Sequence, residues 1–299
     1  MNNFKIKNKL ISLIIFLLLP ISSIIAQKSV TGSTINNSVF WEISGKGLQS
    51  PSFLFGTIHL IPEKDYVFTK TMQAKFDASK TLVLEADIDM SLKEQVEIAK
   101  KLILPGGKKL NDYMSEKQFA EFKSYLLDTL EIKKSKFKKI VRIKPIFSMA
   151  LVLSELMEKP ISFEQEFIKE AKKRKMKTKG LETLEFQMGL MDSISIEEQI
   201  EMLVEDDGNS NPLEGYNKIL EAYKQQDLKK LYDFFKEDEG FEGMEKDFLI
   251  KRNIKWVSGI TEIINKQAAF IAVGAGHLYG KEGLIHLLKN EGYTLKAIK

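Results

Sequence analysis

Runs typical of β-strands occur near both ends of this 299-residue chain, and a long region of helical pattern separates them. Short apolar segments bounded by turn residues predict five strands, at residues 39–43, 53–58, 81–86, 268–273 and 293–298. From residue 91 to residue 265, apolar residues recur every three or four positions, which predicts one helix after another. We therefore expect a single sheet assembled from the two ends of the chain.

This order of segments predicts an α/β fold with a mixed, largely parallel sheet. Residues 39–89 and 268–299 would form the sheet core, and residues 91–265 would be a large helical insertion that covers it. Residues 27–299 are of a suitable length for a single domain with such an insertion.

The first residues have the layout of a secretory signal peptide. Lys5, Lys7 and Lys9 form a basic region, an apolar run follows over residues 10–25, and the small residue Ala26 ends it. An uncleaved membrane anchor is the alternative, but Pro20 and Ala26 favour cleavage after Ala26. We therefore predict a periplasmic or secreted protein without a membrane attachment after cleavage.

Composition narrows the possible partners and chemistries. The chain has 45 Lys and Arg against 41 Asp and Glu, a balance that gives no electrostatic reason to expect nucleic acid as a partner. It has no cysteine, which excludes a disulfide framework, a thiol nucleophile and a cysteine zinc site.

Two of the three histidines share a sequence context. His59 ends Gly-Thr-Ile-His and His277 ends Gly-Ala-Gly-His, and each motif follows a predicted strand. The glycines Gly56 and Gly274 allow close backbone approach where the strand ends, so that the histidine follows on a loop. His286 lies on a short predicted helix and is interpreted as a surface or packing residue.

Glu85 also lies at the carboxyl end of a predicted strand. If the three strands are parallel, His59, Glu85 and His277 meet at one edge of the sheet, where α/β proteins bind ligands. Two imidazoles and a carboxylate suit a divalent transition metal, or a general acid–base cluster without one. The alternative is that both histidines are structural residues, hydrogen-bonded at strand ends.

Several segments resemble the TraB/PrgY/GumN family, which is related to the Tiki proteins. They are FLFGTIHL at residues 53–60, LVLEAD at 82–87, GLETLEFQ at 180–187, Arg252-Asn253 with Trp256, and the block at 272–293. The resemblance implies a fold similar to the erythromycin-esterase and ChaN-like group. It also implies a catalytic site made of two histidines, a glutamate and an arginine, here His59, Glu85, His277 and Arg252.

The Tiki proteins are regarded as metal-dependent peptidases, so the resemblance implies a peptide or a small-molecule substrate. It also fits a divalent metal, Mn²⁺, Co²⁺ or Zn²⁺, held by His59, Glu85 and His277. Glu85 would be the third ligand or a general base, and Arg252 would stabilise developing negative charge or hold a substrate carboxylate. Many GumN-like members have no established activity. Two further hypotheses stay open: a non-catalytic protein that sequesters a peptide or small ligand, and a metal-free, esterase-like hydrolase with His59 as base.

Three residues are candidates for a supporting role around these groups. Glu182 and Glu185, three positions apart, would share a helical face and either orient the histidines or form a capping turn. Asn253 neighbours Arg252 in the matched segment. Arg252 itself is predicted on an apolar helix face, where an unpaired charge is costly, so it requires Glu85 or Glu182 as a partner.

Overall fold

The structure is a computed structural model, and it describes residues 5–6, 37–205, 212–236 and 244–299. The predicted leader at residues 1–26 lies outside this part of the chain, apart from residues 5 and 6, which pair with Val204–Glu205. Within the described ranges, no helix is both long enough and apolar enough to cross a membrane.

A six-stranded sheet forms the centre of the fold. The strands of the described ranges that are used below are β1 (Phe40–Ser44), β2 (Ser52–Thr57), β3 (Leu60–Pro62), β4 (Thr81–Ala86), β5 (Pro160–Ser162), β6 (Lys177–Glu182), β7 (Ala269–Gly274) and β8 (Thr294–Ala297). The sheet has the order β8-β1-β2-β7-β4-β6, and β3 pairs separately with β5. The five predicted strands therefore all belong to one sheet.

Helices fill the sequence between the strands and make up most of the insertion. In the described ranges they are α1 (Lys70–Asp77), α2 (Leu92–Leu102), α3 (Glu116–Ser124), α4 (Lys134–Ile140), α5 (Pro145–Leu156), α6 (Phe163–Lys173), α7 (Leu184–Asp192), α8 (Ile196–Leu203), α9 (Pro212–Lys224), α10 (Leu228–Lys236), α11 (Lys251–Ile264) and α12 (Leu284–Asn290). A π-helical turn, Lys246–Ile250, leads directly into α11. The fold is thus the predicted α/β arrangement of a sheet with a helical insertion.

The sheet is parallel from β2 to its edge at β6, and antiparallel at the opposite edge, where β1 and β8 lie. Strands β2, β7, β4 and β6 are parallel to one another, whereas β1 is antiparallel to both β2 and β8. Every residue of β2, β4 and β7 is buried, as expected for parallel strands covered on both faces. Because these three strands are parallel, their carboxyl ends meet at one edge, and the histidine motifs follow there.

The insertion is not purely helical, because it supplies the edge strand β6. Its sequence, Lys-Thr-Lys-Gly-Leu-Glu, lacks an apolar run, and Lys177 and Lys179 are exposed on it. Charged residues on an edge strand discourage pairing with another chain. Because of these residues the strand has no apolar run, and it was not predicted from the sequence. The strand ends at Glu182, which therefore lies at the same edge of the sheet as Glu85.

The insertion also contacts the chain on either side of His59. Strand β3, which begins directly after His59, pairs with β5 just before α6 begins. Two tyrosines of α9 donate hydrogen bonds to the same region: the Tyr216 hydroxyl to the Leu60 carbonyl and the Tyr223 hydroxyl to the Gly56 carbonyl, both at 2.8 Å. The first histidine loop is therefore fixed by the insertion as well as by the sheet.

Candidate active site

His59 lies just beyond β2 in a backbone conformation that is uncommon for residues other than glycine. Its φ is +33°, and its carbonyl accepts a hydrogen bond from Phe163 N at 3.1 Å. The Nδ1 atom lies 2.6 Å from Glu164 Oε1, which also accepts the Thr57 hydroxyl at 2.7 Å. With Nδ1 engaged in this way, Nε2 faces the carboxyl edge of the sheet, 3.9 Å from Glu85 Oε1.

His277 lies in a single 3₁₀ turn that follows β7, and only 1% of its surface is exposed. The amide nitrogen of Asn253 donates to two carbonyl oxygens, those of His277 and Glu282. Its amide oxygen therefore accepts from His277 Nδ1, at 2.7 Å. This bond places the proton on Nδ1 and the lone pair on Nε2, which lies 3.7 Å from Glu85 Oε1.

Glu85 is the carboxylate that both imidazoles face. Its Oε1 accepts the main-chain N–H of Gly274 at 2.8 Å. Its Oε2 accepts from Arg252 Nη2 at 2.6 Å and from Gln187 Nε2 at 3.1 Å. The second oxygen is thus held by side chains of the insertion, and the first is directed at the histidines.

Arg252 is buried, with 2% of its surface exposed, and it lies between two carboxylates. Its Nη2 atom is 2.6 Å from Glu85 Oε2 and also 2.6 Å from Glu182 Oε1. Its guanidinium carbon is 4.6 Å from the centre of the Trp256 ring, and Nη1 is 3.3 Å from His277 Nε2. Both predicted acidic partners are therefore bound by this one guanidinium.

The absence of a side chain at Gly274 leaves a small space between these groups. A Cβ atom placed on Gly274 would lie 3.2 Å from His59 Nε2, 3.3 Å from Glu85 Oε1 and 3.7 Å from His277 Cδ2. The same position therefore contacts all three predicted site residues. The lack of a side chain at Gly274 therefore allows the two imidazoles and the carboxylate to come close together.

The two histidines are in opposite electrostatic environments. Burial alone would lower the pKa of His59, but the adjacent Glu164 carboxylate outweighs it and raises that pKa to about 9. Burial lowers the pKa of His277 to about 3, and the attraction of Glu85 does not reverse this. At neutral pH His59 is therefore cationic and His277 neutral.

Both glutamates beside His59 are held as carboxylates. Burial would raise the pKa of Glu85, but the Arg252 guanidinium, together with the histidines, lowers it to about 2. For Glu164, burial is likewise outweighed by the charge and hydrogen bond of His59, and the pKa is lowered. Both carboxylates near His59, those of Glu85 and Glu164, are therefore negatively charged at neutral pH.

The profile of the TraB/PrgY/gumN family matches residues 39–297, which is most of the chain. The chain belongs to the TraB/PrgY/gumN family. No curated protein and no solved structure matches it.

In this TraB/PrgY/gumN member, the structure brings most of the predicted site residues together and separates one. Glu182 binds Arg252, and Asn253 binds His277, as supporting residues would. Glu185 is exposed and lies 3.7 Å from Lys101. The predicted shared helical face of Glu182 and Glu185 is wrong, because Glu182 ends β6 and Glu185 belongs to α7.

Two residues of the site were not predicted as such from the sequence. Glu164 lies in the first turn of α6, the helix that Ser162 caps. Gln187 lies in the matched segment and donates to both Glu85 and Glu182. Neither lies near a histidine in sequence, and only the folding of the insertion over the sheet edge brings them there.

The donor atoms are of types that a divalent transition metal binds. His59 Nε2 and Glu85 Oε1 border the space at Gly274, whereas the His277 ring borders it through Cδ2 and its Nε2 lies 3.3 Å from Arg252 Nη1. Each Nδ1 is hydrogen-bonded to an outer residue, as is usual for metal-binding histidines. In the described part of the chain, no group of three or more His, Asp or Glu side chains is placed so that it could hold a metal ion. The agreement with a metal site is therefore one of donor type.

Proposed function

We propose that this protein is an exported metal-dependent hydrolase that acts on peptide bonds, with its site at the carboxyl edge of the sheet. The observation that supports it is the space at Gly274, which His59 Nε2, Glu85 Oε1 and the His277 ring all border. His59, Glu85 and His277 would hold the metal. When bound, the metal would polarise the scissile carbonyl and lower the pKa of a bound water.

The other residues of the site would orient these donors. Arg252 and Gln187 hold Oε2 of Glu85, which leaves Oε1 directed at the space beside Gly274. Because Arg252 is buried and bound to two carboxylates, its contacts favour a role in fixing Glu85 over one in binding substrate. The His59 side chain is 14% exposed and the His277 side chain 1%, so substrate would approach from the His59 side.

A second candidate, a metal-free hydrolase, is favoured by the contact between His59 and Glu164. A carboxylate 2.6 Å from Nδ1 with Nε2 directed into the site is an arrangement that supports general acid–base catalysis. In that case His59 would pass protons between water and the leaving group, and His277 would stay neutral. The raised pKa of His59 suits the acid form at neutral pH.

Metal analysis and cleavage assays on the mature protein distinguish these functions. We expect Mn²⁺, Co²⁺ or Zn²⁺ to raise the unfolding temperature and to support cleavage of a peptide library, and a chelator to abolish both effects. His59→Ala and His277→Ala should lose the response to metal, whereas His286→Ala, at an exposed position, should keep it.

The other outcomes have defined meanings. Ester cleavage that survives the chelator would support the metal-free hydrolase. Tight peptide binding without turnover would support a sequestering protein. A mature protein that neither binds metal nor cleaves peptides would refute the proposed function.

A further inference from the structure

The helical insertion holds His59 by both its main chain and its side chain. Phe163, the first residue of α6, donates its N–H to the His59 carbonyl, and Glu164, the next residue, binds the imidazole. The same helix start therefore fixes the uncommon backbone conformation and the ring. A backbone with φ of +33° is retained only where neighbouring groups hold it.

Both oxygens of Glu164 are engaged, so its carboxylate has a fixed orientation. Oε1 accepts from His59 Nδ1 at 2.6 Å and from the Thr57 hydroxyl at 2.7 Å. Oε2 accepts from the Ser162 hydroxyl at 3.0 Å. A carboxylate can only accept a hydrogen bond, so His59 must carry a proton on Nδ1, and in a neutral ring its lone pair is then on Nε2.

We propose that Glu164 is a positioning residue for the site: it holds the His59 ring with the Nδ1 proton toward α6 and with Nε2 toward Glu85. This inference rests on the proposed function, since it assigns Nε2 as the atom that His59 presents to a metal or a substrate. Asn253 fulfils the same task for His277 with a neutral amide oxygen. In both histidines the outer partner takes Nδ1, and Nε2 is the ring nitrogen nearer Glu85, at 3.9 Å for His59 and 3.7 Å for His277.

Nuclear magnetic resonance of the histidine rings tests the orientation directly, because the chain has only three histidines. In metal-free protein, the Nδ1 proton of His59 should be protected from exchange and far downfield, as expected for a short bond to a carboxylate. Glu164→Ala should lose this protected signal. Glu164→Gln, which keeps the shape and an acceptor oxygen, should retain the proton with an upfield shift.

Glu166→Gln is the matched control, because Glu166 lies in the same first turn and pairs with Lys169 rather than with a histidine. It should leave the His59 signal unchanged. An unchanged signal in Glu164→Ala would overturn the proposal. If Glu164→Ala does not fold, an unshifted Nδ1 proton in Glu164→Gln would overturn it instead.

Metal affinity gives a second readout that does not depend on turnover. Loss of an outer partner of a ligating histidine typically weakens metal binding about 10–100-fold, and we expect Glu164→Ala to show a loss of this size. With substrate, kcat should fall and KM should change little. If the wild type binds no metal, the proposed function fails. The resonance experiment would still show whether Glu164 orients the His59 ring.

Discussion

Arg252 and Glu85 form a buried ion pair of 2.6 Å although they are 167 positions apart in the sequence. The pair joins helix α11 of the insertion to the central strand β4 of the sheet. Glu182, at the end of β6, binds the same guanidinium, so three elements meet at one cation. The stability of the fold and the geometry of the site therefore depend on the same contacts.

Replacing Arg252 with Met should destabilise the protein by about 3–5 kcal/mol, because two carboxylates would remain buried without their cation. The loss should be largest at neutral pH and smaller in acid, where Glu85 can take up a proton. Chemical unfolding of both proteins at several pH values measures the difference. Lys251→Met, at an exposed position on the same helix, is the control and should change stability little.

An equal loss of stability for Arg252→Met at acidic and neutral pH would contradict the electrostatic explanation. It would show that the loss comes from packing against Trp256 rather than from unpaired carboxylates. Arg252→Lys separates the electrostatic and the packing explanations further. Lysine keeps the charge, but it lacks the planar guanidinium that binds both carboxylates.

The sequence predicted the parts of this site that follow apolar strands. The continuous apolar runs of β2, β4 and β7 mark buried parallel strands, and their ends locate His59, Glu85 and His277. The partner of Arg252 was also predictable, since a charge on an apolar helix face needs a counter-charge. These inferences depend on local pattern and on the cost of burying a charge.

The rest depended on tertiary contacts that no local pattern encodes. Strand β6 is a charged edge strand and was predicted as part of the helical insertion. For that reason Glu182 and Glu185 were assigned to one helix face, although a turn separates their elements. The role of Glu164 could not be predicted from the sequence, because it arises from the contact of α6 with the His59 loop.

In metal-free protein, His59, Glu85 and His277 should together stabilise the fold most near pH 6.5. His277 and Glu85 have lowered pKa values, about 3 and about 2, so the folded state resists protons that the unfolded chain accepts, and stability is lost as the pH falls below 6.5. His59 has a raised pKa of about 9, so its contribution is present below 6.5 and is lost as the pH rises toward 9.

Thermal unfolding across this pH range, in the presence of a chelator, measures both slopes. His59→Gln should flatten the alkaline side and leave the acidic side in place. His286→Gln, at an exposed position, should leave the profile unchanged. A His59→Gln profile identical to that of the wild type would show that the ion pair with Glu164 does not contribute to stability.

The two site histidines should differ in their effect on folding. His277 is buried, its ring centre lies 4.4 Å from that of Trp256, and His277→Ala would remove the partner of the Asn253 oxygen. We expect it to cost at least about 1–3 kcal/mol, the usual penalty for a buried unsatisfied polar group. Asn253→Ala in the His277→Ala background should then cost less than it does in the wild type. Equal costs in both backgrounds would show that the two residues are not coupled.

Gly274→Ala should abolish activity and metal binding while the fold is retained. The added Cβ would lie 3.2 Å from His59 Nε2 and 3.3 Å from Glu85 Oε1, and would occupy the space that a ligand needs. The backbone at Gly274, with φ of −53°, is one that alanine adopts without strain.

Gly189→Ala, on α7 with nothing within 4 Å of the added Cβ, is the control. It should keep activity and gain up to about 1 kcal/mol of stability. Activity and metal affinity are measured beside the unfolding temperature for both variants. A Gly274→Ala protein that turns over substrate like the wild type would show that the chemistry does not take place between His59, Glu85 and His277.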